Sequence, residues 1–504
     1  MINLRPYQLD LANAIRLAYR DGYQCPVVVA PCGAGKTILF SYITHGASQK
    51  QRSVMICAHR KELVKQISLS LAKFGVVHRI IAAPSAVRDI TADQFRAFGR
   101  SYVDSRSVIY VGSVQTIVKR FDTITRAPDI LIMDEAHHVV ADTQWGDVMD
   151  RYPNAKGLKV TATPKRLDGK GLGKGHGGYA DILIDGPSPR WLIENGYLSE
   201  YVAYSTNLLP DLKGVRKTAK GDYNASSLDE RVNRPQLVGD AVDHWKRSAP
   251  GLRSVAYCVS VKHSEATAAA FKAAGVPAEH FDGETDPGER ARIVKDFAAG
   301  RIQVLCNVGL LTEGFDLASI AQSDVTIDCV IDLAPTNSLT LFIQKIMRGL
   351  RPRQGKIGVI LDHAGNIARH GLPDLDREWA LDGTWKPRGS ATATPAVTIR
   401  TCPACFAVHA PEPQCPCCGH RYTVKDRAPQ EVAGDLVRIT PEMRAAIAAQ
   451  AEADRKQAKR VRITEERQCK SLADLEQLGK DRGYKFAKLW SEKRWQFIKP
   501  RETA

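Results

Sequence analysis

Runs of consecutive apolar residues near 26–30, 53–58, 107–112, 129–133 and 158–163 are separated by stretches in which apolar positions recur every three to four residues. A run without polar alternation predicts a strand covered on both faces, and the longer spacing predicts an amphipathic helix, as through Leu63 and Ile67. Strands alternating with helices predict a parallel sheet with helices on both sides. A glycine-rich stretch, 169–178, and a mixed segment to about residue 233 break this rhythm. It resumes at 254–259, 303–307, 329–333 and 358–362, which predicts a second sheet. No internal repeat of solenoid length is present.

Beyond the second sheet the character changes. A Thr/Ala/Pro/Gly-rich linker, 386–397, leads to a cysteine cluster, and the chain past 439 has helical spacing and a strong basic surplus. The expected organisation is a first sheet domain at 1–200, a connecting segment at 201–235, a second sheet domain at 236–385, a four-Cys module at 398–424 and a basic helical region at 437–504. The fold class is α/β, two tandem parallel-sheet domains with those appendages.

Composition sharpens this picture. The chain has 504 residues, more than one compact core accommodates. Against 55 Asp+Glu stand 71 Lys+Arg, a net charge of +16 that suits a polyanionic partner. No apolar run reaches the length of a membrane span, and Met1 to Gln8 lacks the apolar core of a signal peptide, so the expectation is cytoplasmic, with no membrane partner. Of 12 cysteines, five fall between Cys402 and Cys418, while Cys57, Cys258, Cys306 and Cys329 sit in apolar contexts as buried thiols. That distribution fits a reducing compartment and a bound metal better than a disulfide scaffold.

Residues 30–37 read Ala-Pro-Cys-Gly-Ala-Gly-Lys-Thr where a strand turns into a helix. Glycines such as Gly33 and Gly35 let backbone N–H groups converge on phosphate oxygens. Lys36 supplies a point charge and Thr37 a hydroxyl for Mg²⁺. The strict pattern has glycine at position 30, where this chain has Ala30. The strand at 129–133 runs into Asp134-Glu135-Ala136-His137-His138. Asp134 suits a Mg²⁺ ligand, and Glu135 suits the group that orients and deprotonates an attacking water.

Cys402 and Cys405 form one Cys-x-x-Cys pair and Cys415 and Cys418 another, nine residues apart. Two such knuckles close a tetrahedral zinc site with no open position, hence structural Zn²⁺; Cys417 is left over, and His409 and His420 are unnecessary. From Arg455 to Arg501 stand 15 Lys/Arg against 6 Asp/Glu, interleaved with Tyr484, Phe486, Trp490 and Trp495. That pattern serves a packed helical pair with a solvated face and a nucleic-acid contact equally well. His45, His59 and His244 carry no functional reading.

In order along the chain, from residue 4 to about 362, these elements resemble the motifs of the superfamily 2 helicases. Residues 4–8, Leu-Arg-Pro-Tyr-Gln, resemble the adenine-reading motif, with Arg5 and Gln8 as ATP contacts. Residues 58–63 and 111–116 resemble motifs Ia and Ib, which touch the nucleic-acid backbone, here through Arg60, Ser113, Gln115 and Thr116. Residues 161–164 match motif III, placing Thr161, Thr163 and His137 in coupling hydrolysis to movement. Residues 307–316 resemble motif V, with Thr312 on nucleic acid and Gly314 and Asp316 at ATP. Residues 344–351 resemble motif VI, with Gln344 in coupling and Arg348 and Arg351 as arginine fingers. The family usually has glycine where this chain has Met347.

The resemblance implies two RecA-like domains with ATP, Mg²⁺ and the catalytic groups Lys36, Asp134, Glu135, Arg348 and Arg351 between them. The second histidine after the acidic box, residues 167–172 and a zinc module behind the motor are similar to the RadD-like bacterial and phage helicases, which implies a DNA-repair setting. The expected activity is ATP hydrolysis coupled to translocation on or unwinding of nucleic acid, DNA before RNA. A repair or single-strand-binding protein is a candidate partner. An RNA helicase, an ATP-gated clamp or remodeller, and the motor subunit of a defence complex stay open as alternatives. No nuclease constellation is evident.

Overall fold

In the computed structural model the two predicted sheets are present. It describes residues 3–166, 170–205, 222–232, 235–311, 317–321 and 325–387, scattered positions within 206–324, and, further on, short stretches that include 400–401, 408–409, 437–438, 471–481 and 487–498.

The first sheet contains β1 (Pro26–Val29), β2 (Val54–Ala58), β3 (Arg79–Ile81), β4 (Ile109–Ser113), β5 (Ile130–Asp134), β6 (Lys156–Thr161) and β7 (Ile182–Asp185), in the order β3-β4-β2-β5-β6-β1-β7. Every pairing is parallel. Val27, Val28, Met55, Ile56 and Leu131 have no exposed surface, as strands covered on both faces require. The sequence runs locate the central strands to within about two residues. The short strands β3 and β7 carry too few apolar positions to stand out.

The second sheet contains β8 (Glu200–Ser205), β9 (Ser254–Tyr257), β10 (Ala278–His280), β11 (Val304–Asn307), β12 (Cys329–Asp332) and β13 (Ile357–Asp362), in the order β10-β11-β9-β12-β13-β8. Numbered within its own domain, that is the order of the first sheet's β1 to β6, so one topology occurs twice. The segment expected only to connect begins with β8, which pairs in parallel with β13 along its whole length, Glu200 against Ile357 to Ser205 against Asp362. Its inward positions alternate with half-exposed ones, so no continuous apolar run marks it. The sheet ends in a strand from far along the chain: Val437–Arg438 pairs antiparallel with Ser205 and Tyr204.

A hairpin, Arg377–Trp379 against Trp385–Pro387, projects from the second domain onto the first. Its turn meets the glycine-rich stretch: Gly173 donates to the Leu381 carbonyl at 3.0 Å. The apolar core also crosses between domains, running from Ala30 and Ala34 through Leu198 to Met347 and Leu350. In the basic region, helices Leu472–Asp481 and Ala487–Ile498 pack on one another with Leu475 buried and Trp490 and Trp495 half-buried. Tyr484 and Phe486 lie outside the described residues. No described helix is long and apolar enough to cross a membrane.

Candidate active site between the two sheets

Strand β1 ends at Val29, and the chain turns into helix Lys36–Gln49. Gly33 and Gly35 take φ of +88° and +79° in that turn, conformations that cost glycine little. Both are also crowded: a Cβ on Gly35 would lie 2.5 Å from Gln8 Nε2, and one on Gly33 2.8 Å from Leu198 Cδ2. Ala30 is buried, and its amide donates to the Thr161 carbonyl at 2.9 Å, extending the β1–β6 ladder. Lys36 Nζ donates to the Ala30 carbonyl at 3.3 Å, and Thr37 follows in the helix's first turn.

Gln8 is turned toward this loop. Its Nε2 donates to the Ala34 carbonyl at 3.0 Å, and its Oε1 accepts from the Arg5 amide at 3.0 Å. Tyr7 donates to the same Ala34 carbonyl at 2.8 Å. Gln8 thus ties the phosphate loop, through Nε2, to the backbone at Arg5, through Oε1. Beside it lies an aromatic group that the sequence reading missed. Trp191 stacks on Tyr197 with ring centres 5.9 Å apart, Arg5 lies 4.8 Å over the Tyr197 ring, and Trp191 is 39% exposed.

Strand β5 delivers Asp134, buried, whose carboxylate accepts from the Glu135 amide at 3.0 Å. Glu135 has φ +54°, a left-handed conformation that is costly for a residue with a side chain. Its Oε2 is buried without a hydrogen-bond partner and lies 3.5 Å from His137 Nδ1. Burial pushes Asp134 up to about 7, and Glu135 adds to the rise while Lys36 opposes it. At Lys36 burial works against the charge, but Cys32, Glu135 and Asp134 outweigh it and raise the pKa above the ordinary lysine value.

His137 Nδ1 also lies 3.4 Å from Thr161 Oγ1, which donates to the Thr163 carbonyl at 3.1 Å. The acidic box and motif III are therefore one buried network. From the second domain, Thr340 donates to the Lys165 carbonyl at 3.2 Å, just past motif III. The helix carrying Thr340, Leu339–Ile346, also carries Gln344, whose buried amide has no hydrogen-bond partner at either end.

Arg348, 8% exposed, and Arg351 follow that helix. Both charges bear on Cys32 in the phosphate loop, and that of Arg351 bears on Lys36. The Arg351 carbonyl accepts from Lys356 Nζ at 2.9 Å and Ser199 Oγ at 3.3 Å, and the Ser199 amide donates to the Leu350 carbonyl at 2.9 Å. Leu198 and Ser199 thus join the phosphate loop to motif VI, a role with no signal in the sequence. Met347 is fully buried and lines a small interdomain cavity with Val29, Pro31 and Ala162, which a glycine there would enlarge.

Arg60, Ser113, Gln115 and Thr116 gather apart from this cluster, at the ends of β2 and β4. Ser113 and Thr116 share a hydrogen bond of 2.8 Å, and Gln115 Nε2 donates to the His59 carbonyl at 3.4 Å. The His59 ring stacks on His138 at 4.3 Å, which links motif Ia to the acidic box and gives His59 a place the sequence did not. Thr312, Gly314 and Asp316 lie outside the described residues, as do Cys402, Cys405, Cys415 and Cys418. Among the described residues no cluster of His, Cys, Asp and Glu has the makings of a metal site.

A family model described as the res subunit of type III restriction enzymes matches residues 1–166, and the helicase conserved C-terminal domain matches 236–353. A 51.5 kDa protein of a Lactococcus phage is 32% identical over 405 residues, 80% of this chain and 79% of its own. This chain is a superfamily 2 helicase. As such it is an ATP-hydrolysing enzyme of the helicase type that acts on nucleic acid. IRC3 of Saccharomyces cerevisiae, described as an ATP-dependent helicase, is 27% identical over 370 residues, 70% of this chain. Its Schizosaccharomyces pombe counterpart, described as a mitochondrial ATP-dependent helicase, is 27% identical over 388 residues, 74% of this chain. The helicase spans only 50% and 59% of the length of these two yeast relatives.

Proposed function

We propose that this helicase couples ATP hydrolysis to translocation on, or unwinding of, DNA, with hydrolysis carried out between its two sheets. The observation that carries the reading is the packing of the motif VI segment on the phosphate loop: Met347 and Leu350 share one core with Ala30, Ala34 and Leu198, and Ser199 is bonded to the Leu350 and Arg351 carbonyls. In this reading the loop amides and Lys36 bind the phosphates, and Trp191 with Tyr197 offers the base a stacking face. Thr37 and Asp134 would hold Mg²⁺. Two adjoining carboxyl groups, one raised to about 7 and the other with an orphaned oxygen, suit a divalent cation. That ion supplies charge neutralisation at the β and γ phosphates.

Glu135 takes a proton from the attacking water. Arg348 and Arg351 stabilise charge on the transferring phosphoryl group, and closure of the cleft brings them into place. The network from Glu135 through His137, Thr161 and Thr163, with Gln344 on the second-domain helix that reaches Lys165 through Thr340, carries the phosphate state to the domain interface. Arg60, Ser113, Gln115 and Thr116 hold the nucleic-acid backbone; Thr312 joins them, and Gly314 and Asp316 join the ATP site, on the strength of the motif V resemblance.

The four cysteines form a structural zinc module in this reading. A short antiparallel pair, Arg400–Thr401 with Val408–His409, flanks the first Cys-x-x-Cys, as a knuckle on a hairpin requires. The basic tail adds charge for the same polyanion. The test is the ATPase rate with single-stranded DNA, duplex DNA and RNA, followed by strand displacement. Stimulation by DNA above RNA supports the reading, and stimulation by RNA alone would replace it with an RNA helicase. DNA stimulation without displacement or directional movement would leave an ATP-gated clamp.

A further inference from the structure

The first sheet ends at β3; Val103 bridges His78, just before the strand, and alongside Arg79–Ile81 lies a cavity of about 460 Å³, large enough for one nucleotide unit. Its floor is aliphatic, with Ile81 and Val103. Its rim holds Arg79, Lys119 and Arg120 against one carboxylate, Asp122. Arg120 is already fixed, its Nη1 donating to the Ala82 carbonyl at 2.6 Å. Lys119 and Arg120 directly follow the short helix Val114–Val118, which carries the motif Ib residues. The floor shares a wall with that motif: a Cβ on Gly112 would lie 3.0 Å from Ile81 Cβ.

An apolar floor under a basic rim matches a base with its phosphate, and matches neither a bare anion nor an acidic peptide lying along the edge. We propose that this cavity takes one unstacked nucleotide of a single strand as it leaves motif Ib. The base rests on Ile81 and Val103, and the flanking phosphates lie between Arg79, Lys119 and Arg120. The inference rests on the nucleic-acid reading above and deepens it. Backbone contacts alone are blind to the base, whereas a pocket that buries one base makes the protein sensitive to its absence at one register.

The test uses the full chain without nucleotide and labelled oligodeoxythymidylate. Anisotropy is measured across a salt series for wild type, Arg79→Ala and Lys119→Ala, with melting temperature as the control for folding. A single abasic site is then walked along the strand. Each substitution is expected to flatten the slope of log affinity against log salt by about 0.7, the value for one phosphate on a single strand. In wild type one abasic position is expected to weaken binding more than its neighbours do. Slopes equal to wild type in both variants would overturn the site while leaving the motor reading intact. Flattened slopes with a featureless abasic walk would overturn the base pocket. Failure of wild type to bind the strand at all would overturn both readings together.

Discussion

The amide of Gly173 in the first domain donates to the carbonyl of Leu381 in the second at 3.0 Å, at the tip of the hairpin that bridges them. The glycines around it are required by close approach of two backbones. A Cβ on Gly171 would lie 1.9 Å from the Leu381 oxygen, and one on Gly383 would lie 2.7 Å from the Gly171 nitrogen. Leu381 packs there on the cluster of Val27, Ala136, Leu172 and Ala180, directly behind the acidic box. Gly171→Ala should therefore cost about 1–3 kcal/mol or undock the hairpin. Gly175→Ala should be close to neutral, since nothing lies within 4 Å of a Cβ there. Urea unfolding of the two variants side by side checks the contrast.

Glu135→Gln should retain ATP binding and lose hydrolysis by about 10²–10⁴-fold, the usual worth of a general base. The amide keeps the shape of the side chain and cannot take the water's proton. Lys36→Ala should lose turnover as well, by removing a loop charge and no core volume. Single-turnover hydrolysis with a parallel nucleotide-binding titration separates the two. Loss of nucleotide binding in Glu135→Gln would reassign that carboxylate to the metal.

Much of the fold is legible in the sequence. Continuous apolar runs betray doubly covered strands, so β1, β2, β5, β9, β12 and β13 stand out, and the chemistry sits at their ends, where motifs are local. What escaped depends on contacts distant in sequence. Strand β8 alternates buried and half-exposed positions and becomes recognisable only beside β13. Leu198 and Ser199 look ordinary until Gly33 and the motif VI carbonyls lie against them. The Trp191–Tyr197 stack meets Tyr7 and Arg5 from nearly 190 residues away. The direction of the Gln8 amide depends on which carbonyl lies nearest, which the local sequence does not state.

Lys159 gives a pH signature. It is fully buried in β6, with Nζ 5.2 Å over the Tyr179 ring and the Cys25 thiol as its polar neighbour. Burial pulls it down to about 8, and Cys25 and Asp181 only partly offset that. Between about 8 and the ordinary lysine value of about 10.4, the unfolded chain holds a proton that the folded chain has released. Stability contributed at this position should therefore rise with pH across that window and be flat below it. Lys159→Met should remove this contribution, so that the wild-type stability gains on the variant's as pH rises through the window, and should stabilise the protein at neutral pH by about 3 kcal/mol at most. Asp181 is not stranded by the change, because it accepts from the Gln24 and Cys25 amides at 2.7 and 3.0 Å. Chemical unfolding at several pH values from 7 to 10 tests both the slope and its loss.

Four thiolates imply about one zinc per chain. Metal analysis of protein purified without chelator should find it, and Cys402→Ser should lower it while the melting of the two sheet domains stays put. Absence of zinc in the wild-type protein would remove the module's assignment.

The central claim is that catalysis needs charge delivered from the second domain to a phosphate held by the first. Arg348→Ala and Arg351→Ala test it most directly, with turnover, nucleotide affinity and melting temperature measured on the same samples. Ground-state binding rests mainly on Lys36, Thr37 and Mg²⁺, whereas arginine fingers act when charge develops on the phosphoryl group and are worth about 10³–10⁵ in rate. Hydrolysis should collapse in both variants while affinity falls far less and melting stays near wild type. Normal turnover with normal melting, or turnover lost only in proportion to lost stability, would contradict the account.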